Sequence, residues 1–265
     1  MTSFSLKVIA LIAMTLDHIA RVIGQLGLMS IFPNLSLVNS YHISQILEVC
    51  GRLAFPIFAF LVAEGARKSH NLGRYFGRLL LFAIISVPFY TFAHTSYDSK
   101  HSEPFKTFIS CLTTPSFVNV LFIFAISIAV IIVFNAAKEH IPNQVVVYAV
   151  FTISLILGCG IAHELSVEYD VAGVLLVILL YFVPSSRAKI SVVLLWSFAF
   201  YGTLMVNSFH ATTQIIHISF LILGSVLSCI PIKFYNGEKG LSCKWLFYIY
   251  YPAHFLVLSV IASLL

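Results

Sequence analysis

The sequence predicts an all-α, polytopic integral membrane bundle of about nine spanning helices with a cytoplasmic N-terminus. Three observations lead there. The chain of 265 residues is 60% hydrophobic and only 9% charged, whereas a soluble domain carries about 25% charged residues. Its apolar runs are continuous and about 20 residues long, as a helix that crosses a bilayer requires. Its basic residues fall in the short gaps between those runs, and with the N-terminus placed inside, eleven of the fifteen lie in cytoplasmic segments. Only Lys100 and Lys106 then lie outside, and Arg21 and Arg52 fall within spans. That asymmetry is the positive-inside pattern.

The same facts exclude other classes. Ten-residue stretches of alternating polarity, the mark of a membrane barrel, are absent. The net charge of +5 follows membrane topology and gives no nucleic-acid signal. The five cysteines are odd in number and show no CxxC spacing, so free thiols are expected. The first apolar run is too long for a cleavable leader and lacks a small-residue cleavage site, so it is expected to stay as the first span.

The expected spans are about 5–28, 43–65, 75–95, 117–136, 144–163, 167–183, 189–207, 211–231 and 244–264. Residues 1–265 read as one transmembrane domain without repeats. The longest gap, 95–116, is polar, carries Pro104 and Pro115, and is expected to be a surface loop.

Span one places Asp17 and His18 near mid-membrane depth, at about 1.5 Å of rise per residue. An ionisable residue there costs roughly 2.5–3.5 kcal/mol on the insertion scale, so an acid beside an imidazole needs a reason. Arg21 shares a face with Asp17 at i,i+4 and with His18 at i,i+3. Span two carries Glu48, Arg52, Pro56 and Glu64. A buried Arg52 must be paired, with Asp17 or Glu48 as the available acids. It is also placed to stabilise developing negative charge. Pro56 permits a kink that frees carbonyls. Arg67, Lys68, Arg74 and Arg78 then put four cations within twelve residues. Positive-inside bias accounts for them, and so does a basic mouth for the phosphates of an anionic cofactor.

Asn119 opens span four, where Asn serves as a cap or an interhelical hydrogen bond. His163-Glu164 and Glu168-Tyr169-Asp170 flank a short outer gap. They read as solvated loop, and no metal site is expected. His210 and His217, near the start of span eight, read as interfacial or interhelical polar groups. Asn236-Gly237 marks a turn. His254 lies about ten residues into the last span, near mid-depth like His18.

Taken together, these segments resemble the TraX family. The resemblance rests on Lys7 through Met14-Thr-Leu-Asp17-His18, Arg52-Leu-Ala-Phe-Pro56 followed by Glu64-Gly65, and Tyr75-Phe-Gly-Arg78 with Pro88. It continues in Asn119-Val-Leu-Phe, Glu168-Tyr169-Asp170 before Gly173, and Asn236-Gly237 with Tyr251-Pro252-Ala-His254. It spans nearly the whole chain. The departures are Glu168-Tyr169-Asp170 where the family has acid-Tyr around Asp-Tyr-Gly, Ile123 where Thr is usual, and a more polar loop from Tyr97 to Phe105.

The resemblance implies an acetyltransferase in the bacterial cytoplasmic membrane. The best-known member of the family acetylates the N-terminus of conjugative pilin. The wider group it is similar to includes sugar O-acyltransferases and the lysosomal heparan glucosaminide N-acetyltransferase, which take acetyl groups from cytosolic acetyl-CoA and use a membrane His. On that basis acetyl-CoA is the expected donor, and a pilin-like peptide or a glycan is the expected acceptor. His18 is the expected base or acyl carrier, with Asp17, Arg52 and His254 completing the catalytic group. Arg67, Lys68, Arg74 and Arg78 are expected to hold the donor. Glu64, Asn119, Tyr169 and Asp170 are expected to meet the acceptor. Two other readings compete: a proton-coupled transporter using the same ionisable cluster as a relay, and a non-catalytic assembly partner.

Overall fold

The computed structural model describes residues 1–98, 104–113, 119–207, 212–242 and 244–265. Among them every regular element is helical. Lys100, Pro115, His210 and Cys243, and the first two residues assigned to span four, lie outside the described residues. The elements are α1 (Ser3–His18), a π-helical turn (Ile19–Ile23), α2 (Gly24–Ile31), α3 (Leu37–Gly51), α4 (Ala54–Lys68) and α5 (Leu72–Asp98). They continue as α6 (Pro104–Thr113), α7 (Leu121–His140), α8 (Gln144–Glu164), α9 (Asp170–Phe182), α10 (Ser186–Asn207), α11 (Thr212–Leu227), α12 (Cys229–Lys233) and α13 (Lys244–Leu264).

Among the described residues, seven helical stretches are long and apolar enough to cross a membrane: 37–68, 72–95, 121–140, 144–164, 186–206, 212–233 and 245–264. The chain is an integral membrane protein. The two remaining expected spans take other forms. The first is α1 and α2 joined through the π turn. The sixth is α9, which at 13 residues rises about 20 Å, less than the roughly 30 Å hydrocarbon core.

The local sequence explains many helix starts. Thr2, Ser36, Asn71, Asn143 and Ser185 each accept a hydrogen bond from a backbone N–H of the first turn. These are the residue types that satisfy orphan donors at an N-terminus. The break between α3 and α4 falls at Arg52 and Leu53. Pro56 has no N–H to offer the Arg52 carbonyl, so the helix interrupts one turn before it.

Two expectations about local structure are corrected. Span one is not one regular α-helix, because it passes into the π turn directly after His18 and restarts at Gly24, whose φ is +64°. The gap 95–116 is not only loop. α5 runs on to Asp98, and α6 occupies Pro104–Thr113. Pro104 suits a first helical position, and the Phe108 ring packs 5.7 Å from Phe89 and 5.4 Å from Phe92.

The described chain divides into two compact units. The first holds residues 1–58, 88–116 and 185–265, and the second holds 59–87 and 117–184. In the first, α1 packs on α3 and α13, and α3 and α10 pack on α11. Glycines permit two of these approaches. A Cβ on Gly51 would strike the Asp17 side chain, and one on Gly224 would strike the Val49 carbonyl. Ser197 and Ser225 join α10 to α11 at 2.7 Å. In the second unit α7, α8 and α9 pack together, and Phe134, Phe151 and Phe182 meet edge-on at 5.0–5.2 Å.

Candidate functional site

The first unit gathers the buried ionisable residues of the outermost sequence segments. Asp17, His18, Arg52 and His254 are 5–7% exposed. His18 ends α1, and His254 sits midway along α13. Their rings are 28° from coplanar, with His18 Nδ1 2.8 Å from His254 Nε2. His254 Nδ1 lies 3.0 Å from the Tyr250 carbonyl. A carbonyl oxygen only accepts, so that nitrogen carries the hydrogen. In the neutral pair His254 Nε2 then accepts from His18 Nδ1–H. The lone pair of His18 is left on Nε2, which has no hydrogen-bond partner among the described residues.

The rings are held from several sides. Phe255 lies 4.5 Å from His18 and 4.1 Å from His254 between ring centroids. Tyr250 stacks on His254 at 5.4 Å and 7°. The Thr15 hydroxyl donates to the Leu11 carbonyl, so at 2.6 Å it accepts from the Tyr250 hydroxyl. His94 joins the neighbourhood, with its ring 4.1 Å from Tyr90 and 6.4 Å from Phe255. An apolar wall with a few aimed polar groups suits binding and chemistry.

Asp17 takes no part in the histidine pair. Adjacent residues on a helix point about 100° apart, and Asp17 faces α3. Arg52 donates to Asp17 Oδ1 at 2.5 Å and reaches Glu48 Oε1 at 3.3 Å. Arg21 Nε stands 3.1 Å from Asp17 Oδ2. His217 Nε2 stands 3.3 Å from Glu48 Oε2. The result is a chain of alternating charge, Arg21–Asp17–Arg52–Glu48, with the His217 ring at its end. Burial of charge at this depth is tolerable because each carboxylate meets a cation.

The second unit holds the other candidates. Arg67 donates to the carbonyls of Leu180, Tyr181 (2.7 Å) and Val183 (2.6 Å), and pairs with Glu64 at 3.1 Å. It therefore satisfies the carbonyls that end α9. Lys68 and Arg74 are exposed. Lys68 stands 3.9 Å from Glu64. Arg78 lies 6.0 Å over the Tyr75 ring, and its Nε is buried without a hydrogen-bond partner among the described residues.

Asn119 is fully buried, donates to the Ala83 carbonyl at 2.8 Å and accepts from Leu121 N–H at 3.1 Å. Its amide caps the entry to α7. Tyr169 and Asp170 have φ of +69° and +46°, and Ser166 has +50°. Positive φ is costly for such residues, and clusters of it mark turns or functional strain. Asp170 Oδ2 lies 2.9 Å from His163 Nδ1.

Of the residues that the sequence singles out, His18 meets His254 and Asp17 meets Arg52, both within the first unit. Sequence reasoning missed His94 and the supporting Tyr250, while His217 makes an interhelical contact with Glu48. A signal existed for Tyr250, which precedes His254 by one helical turn. No group of three or more His, Cys, Asp or Glu residues with metal-binding geometry occurs among the described residues. The four described cysteines are free thiols.

Fold and site together define a polytopic helical membrane protein with an imidazole pair and a charge chain inside its first unit. The chain belongs to the TraX family, whose model, described as TraX protein, matches residues 3–262. It is also similar to a protein of Dichelobacter nodosus described as probable fimbrial assembly protein FimC, serogroup H1. The two are 28% identical over 262 residues, covering 97% of this chain and 94% of that protein. No solved structure matches the chain.

Proposed function

We propose that the chain is a membrane-embedded acetyltransferase of the bacterial cytoplasmic membrane, with its N-terminus inside. It transfers an acetyl group from cytosolic acetyl-CoA to an amine or hydroxyl acceptor, foremost the N-terminus of a pilin-like peptide. The observation that carries the reading is the His18–His254 hydrogen bond anchored on the Tyr250 carbonyl. A buried imidazole with one nitrogen oriented and the other bearing a lone pair is what a general base or acyl carrier needs. His254 holds the His18 tautomer and accepts the hydrogen bond that strengthens when His18 Nε2 takes a proton. Arg52, fixed by Asp17 and Glu48, supplies positive potential beside them. The fimbrial role in the relative's description favours a pilin-like acceptor.

The donor's phosphates need cations. Within the first unit, Lys7 lies 5.1 Å over the Phe247 ring, with Lys239 near enough to repel it. The Lys239 carbonyl accepts from Phe4 N–H at 3.1 Å, one turn before Lys7. Lys7 precedes His18 by eleven residues of α1, about 16 Å along the axis. That separation suits the extended arm between the phosphates and thioester of coenzyme A. Lys68, Arg74 and Arg78 offer a second basic group, and Arg67 supports the segment that carries it. Tyr169, Asp170, Glu64 and Asn119 remain the candidates for acceptor contacts.

One observation favours a second reading. The five-member chain from Arg21 to His217 has the composition of a proton relay, as a proton-coupled transporter would require. Release of free CoA from acetyl-CoA by purified protein, with an apolar peptide amine as acceptor, separates the two. Wild type is expected to release CoA. His18→Ala is expected to lose at least about a hundredfold while inserting normally. Full turnover by His18→Ala would overturn the assignment, and ion-driven uptake into liposomes without CoA release would favour the transporter.

A further inference from the structure

The proposed transfer leaves a proton to account for when the acceptor is an amine. An N-terminal amine is mostly an ammonium at neutral pH, because α-amino groups titrate at about 7.7–8.0. Forming the N–C bond of the acetamide removes two protons from that ammonium. Breaking the C–S bond releases a thiolate that takes one of them. One proton is left over, and it must leave the ammonium before nitrogen can attack. A hydroxyl acceptor has no such surplus. Shuttling a single proton from nitrogen to sulfur occupies His18, so a second acceptor is needed for amines.

We infer that His217, oriented by Glu48, takes this surplus proton. The inference rests on the acetyl-transfer reading above. His217 Nε2 faces Glu48 Oε2 at 3.3 Å. A carboxylate oxygen repels a lone pair and attracts an N–H, so the hydrogen of the neutral ring sits on Nε2. The lone pair then sits on Nδ1, which is buried and has no hydrogen-bond partner among the described residues. A buried nitrogen with an unused lone pair is costly to leave unmatched, and a proton donor on the acceptor matches it. The Glu48 and His217 side chains are 25% and 24% exposed, so protons can reach and leave them, unlike the more deeply buried Asp17 and Arg52 beyond.

The surroundings fit a group that becomes positive. Glu48 is the charged residue that faces His217 from α3, and Arg52 lies behind it, paired with Asp17 as well as Glu48. α10 and α12, which also pack on α11, carry Arg187, Lys189 and Lys233 at ends distant in sequence from the α10–α11 connection. α11 begins at the face that the basic residues assign to the outside, where an exported acceptor would arrive.

The test uses the full chain, acetyl-CoA and an apolar peptide amide with a free amino terminus, with CoA release followed at pH 7 and at about pH 9.5. At the higher pH the amine arrives already deprotonated. His217→Gln is expected to run about a hundredfold below wild type at pH 7 and to approach wild type at the higher pH. Glu48→Gln is expected to show the same recovery. His18→Ala is expected to stay inactive at both. A His217→Gln rate equal to wild type at pH 7, or a deficit that is the same at both pH values, would overturn the inference. Wild type without CoA release would remove the acetyl-transfer reading and this inference with it, an outcome visible without any variant.

Discussion

Arg52 sets the electrostatics of the first unit. It is 5% exposed, donates to Asp17 and reaches Glu48. Removing one partner of such a pair leaves a buried charge uncompensated, which costs about 3–5 kcal/mol. Arg52→Met is therefore expected to lower thermal stability in detergent by that order, and Asp17→Asn combined with it should recover part of the loss. Unchanged stability of the single variant would show that Arg52 is not the neutralising partner. This pairing was legible in the sequence, because a basic residue inside an apolar run demands an acid and few acids are available. The His18–His254 contact was legible only as two imidazoles at similar depth. Its atoms and tautomers depend on the Tyr250 carbonyl and on contacts across 236 residues of chain. His94 gave no local sign, since a lone His in an apolar helix looks the same whether or not it meets other rings.

At the level of elements, the π turn and two glycines shape the site. The π turn follows His18 directly and ends at Gly24, where φ is positive. Single π turns in helices occur often at functional sites. No residue type encodes i→i+5 hydrogen bonding, so hydropathy predicted an unbroken helix there. The spans themselves were legible because apolar composition is a local property. α6 was not, because its polar flanks resemble loop and its support comes from Phe89 and Phe92 on α5.

Gly224 lets α11 lie against the Val49 carbonyl of α3, next to Arg52. Gly224→Ala is expected to cost about 1–3 kcal/mol as overpacking against backbone. Gly160→Ala, with nothing within 4 Å of the added carbon, should gain up to about 1 kcal/mol from helix propensity. Thermal unfolding of the two variants side by side checks the α3–α11 approach. Equal effects would contradict it.

For the whole molecule, the match over residues 3–262 places both compact units within one family. Each unit uses its buried charges differently. In the second, Arg67 spends its guanidinium on the carbonyls ending α9 and on Glu64. In the first, His18 Nε2 has no hydrogen-bond partner among the described residues, which leaves its lone pair open for the proposed chemistry. The central claim is that His18 and His254 act as one catalytic unit. A double-mutant cycle on CoA release, using His18→Ala, His254→Ala and the pair together, tests it directly. Groups that act as a unit show strongly non-additive losses, so the double variant should be about as slow as His18→Ala alone. Losses that simply multiply, or a wild-type rate in His254→Ala, would contradict the account.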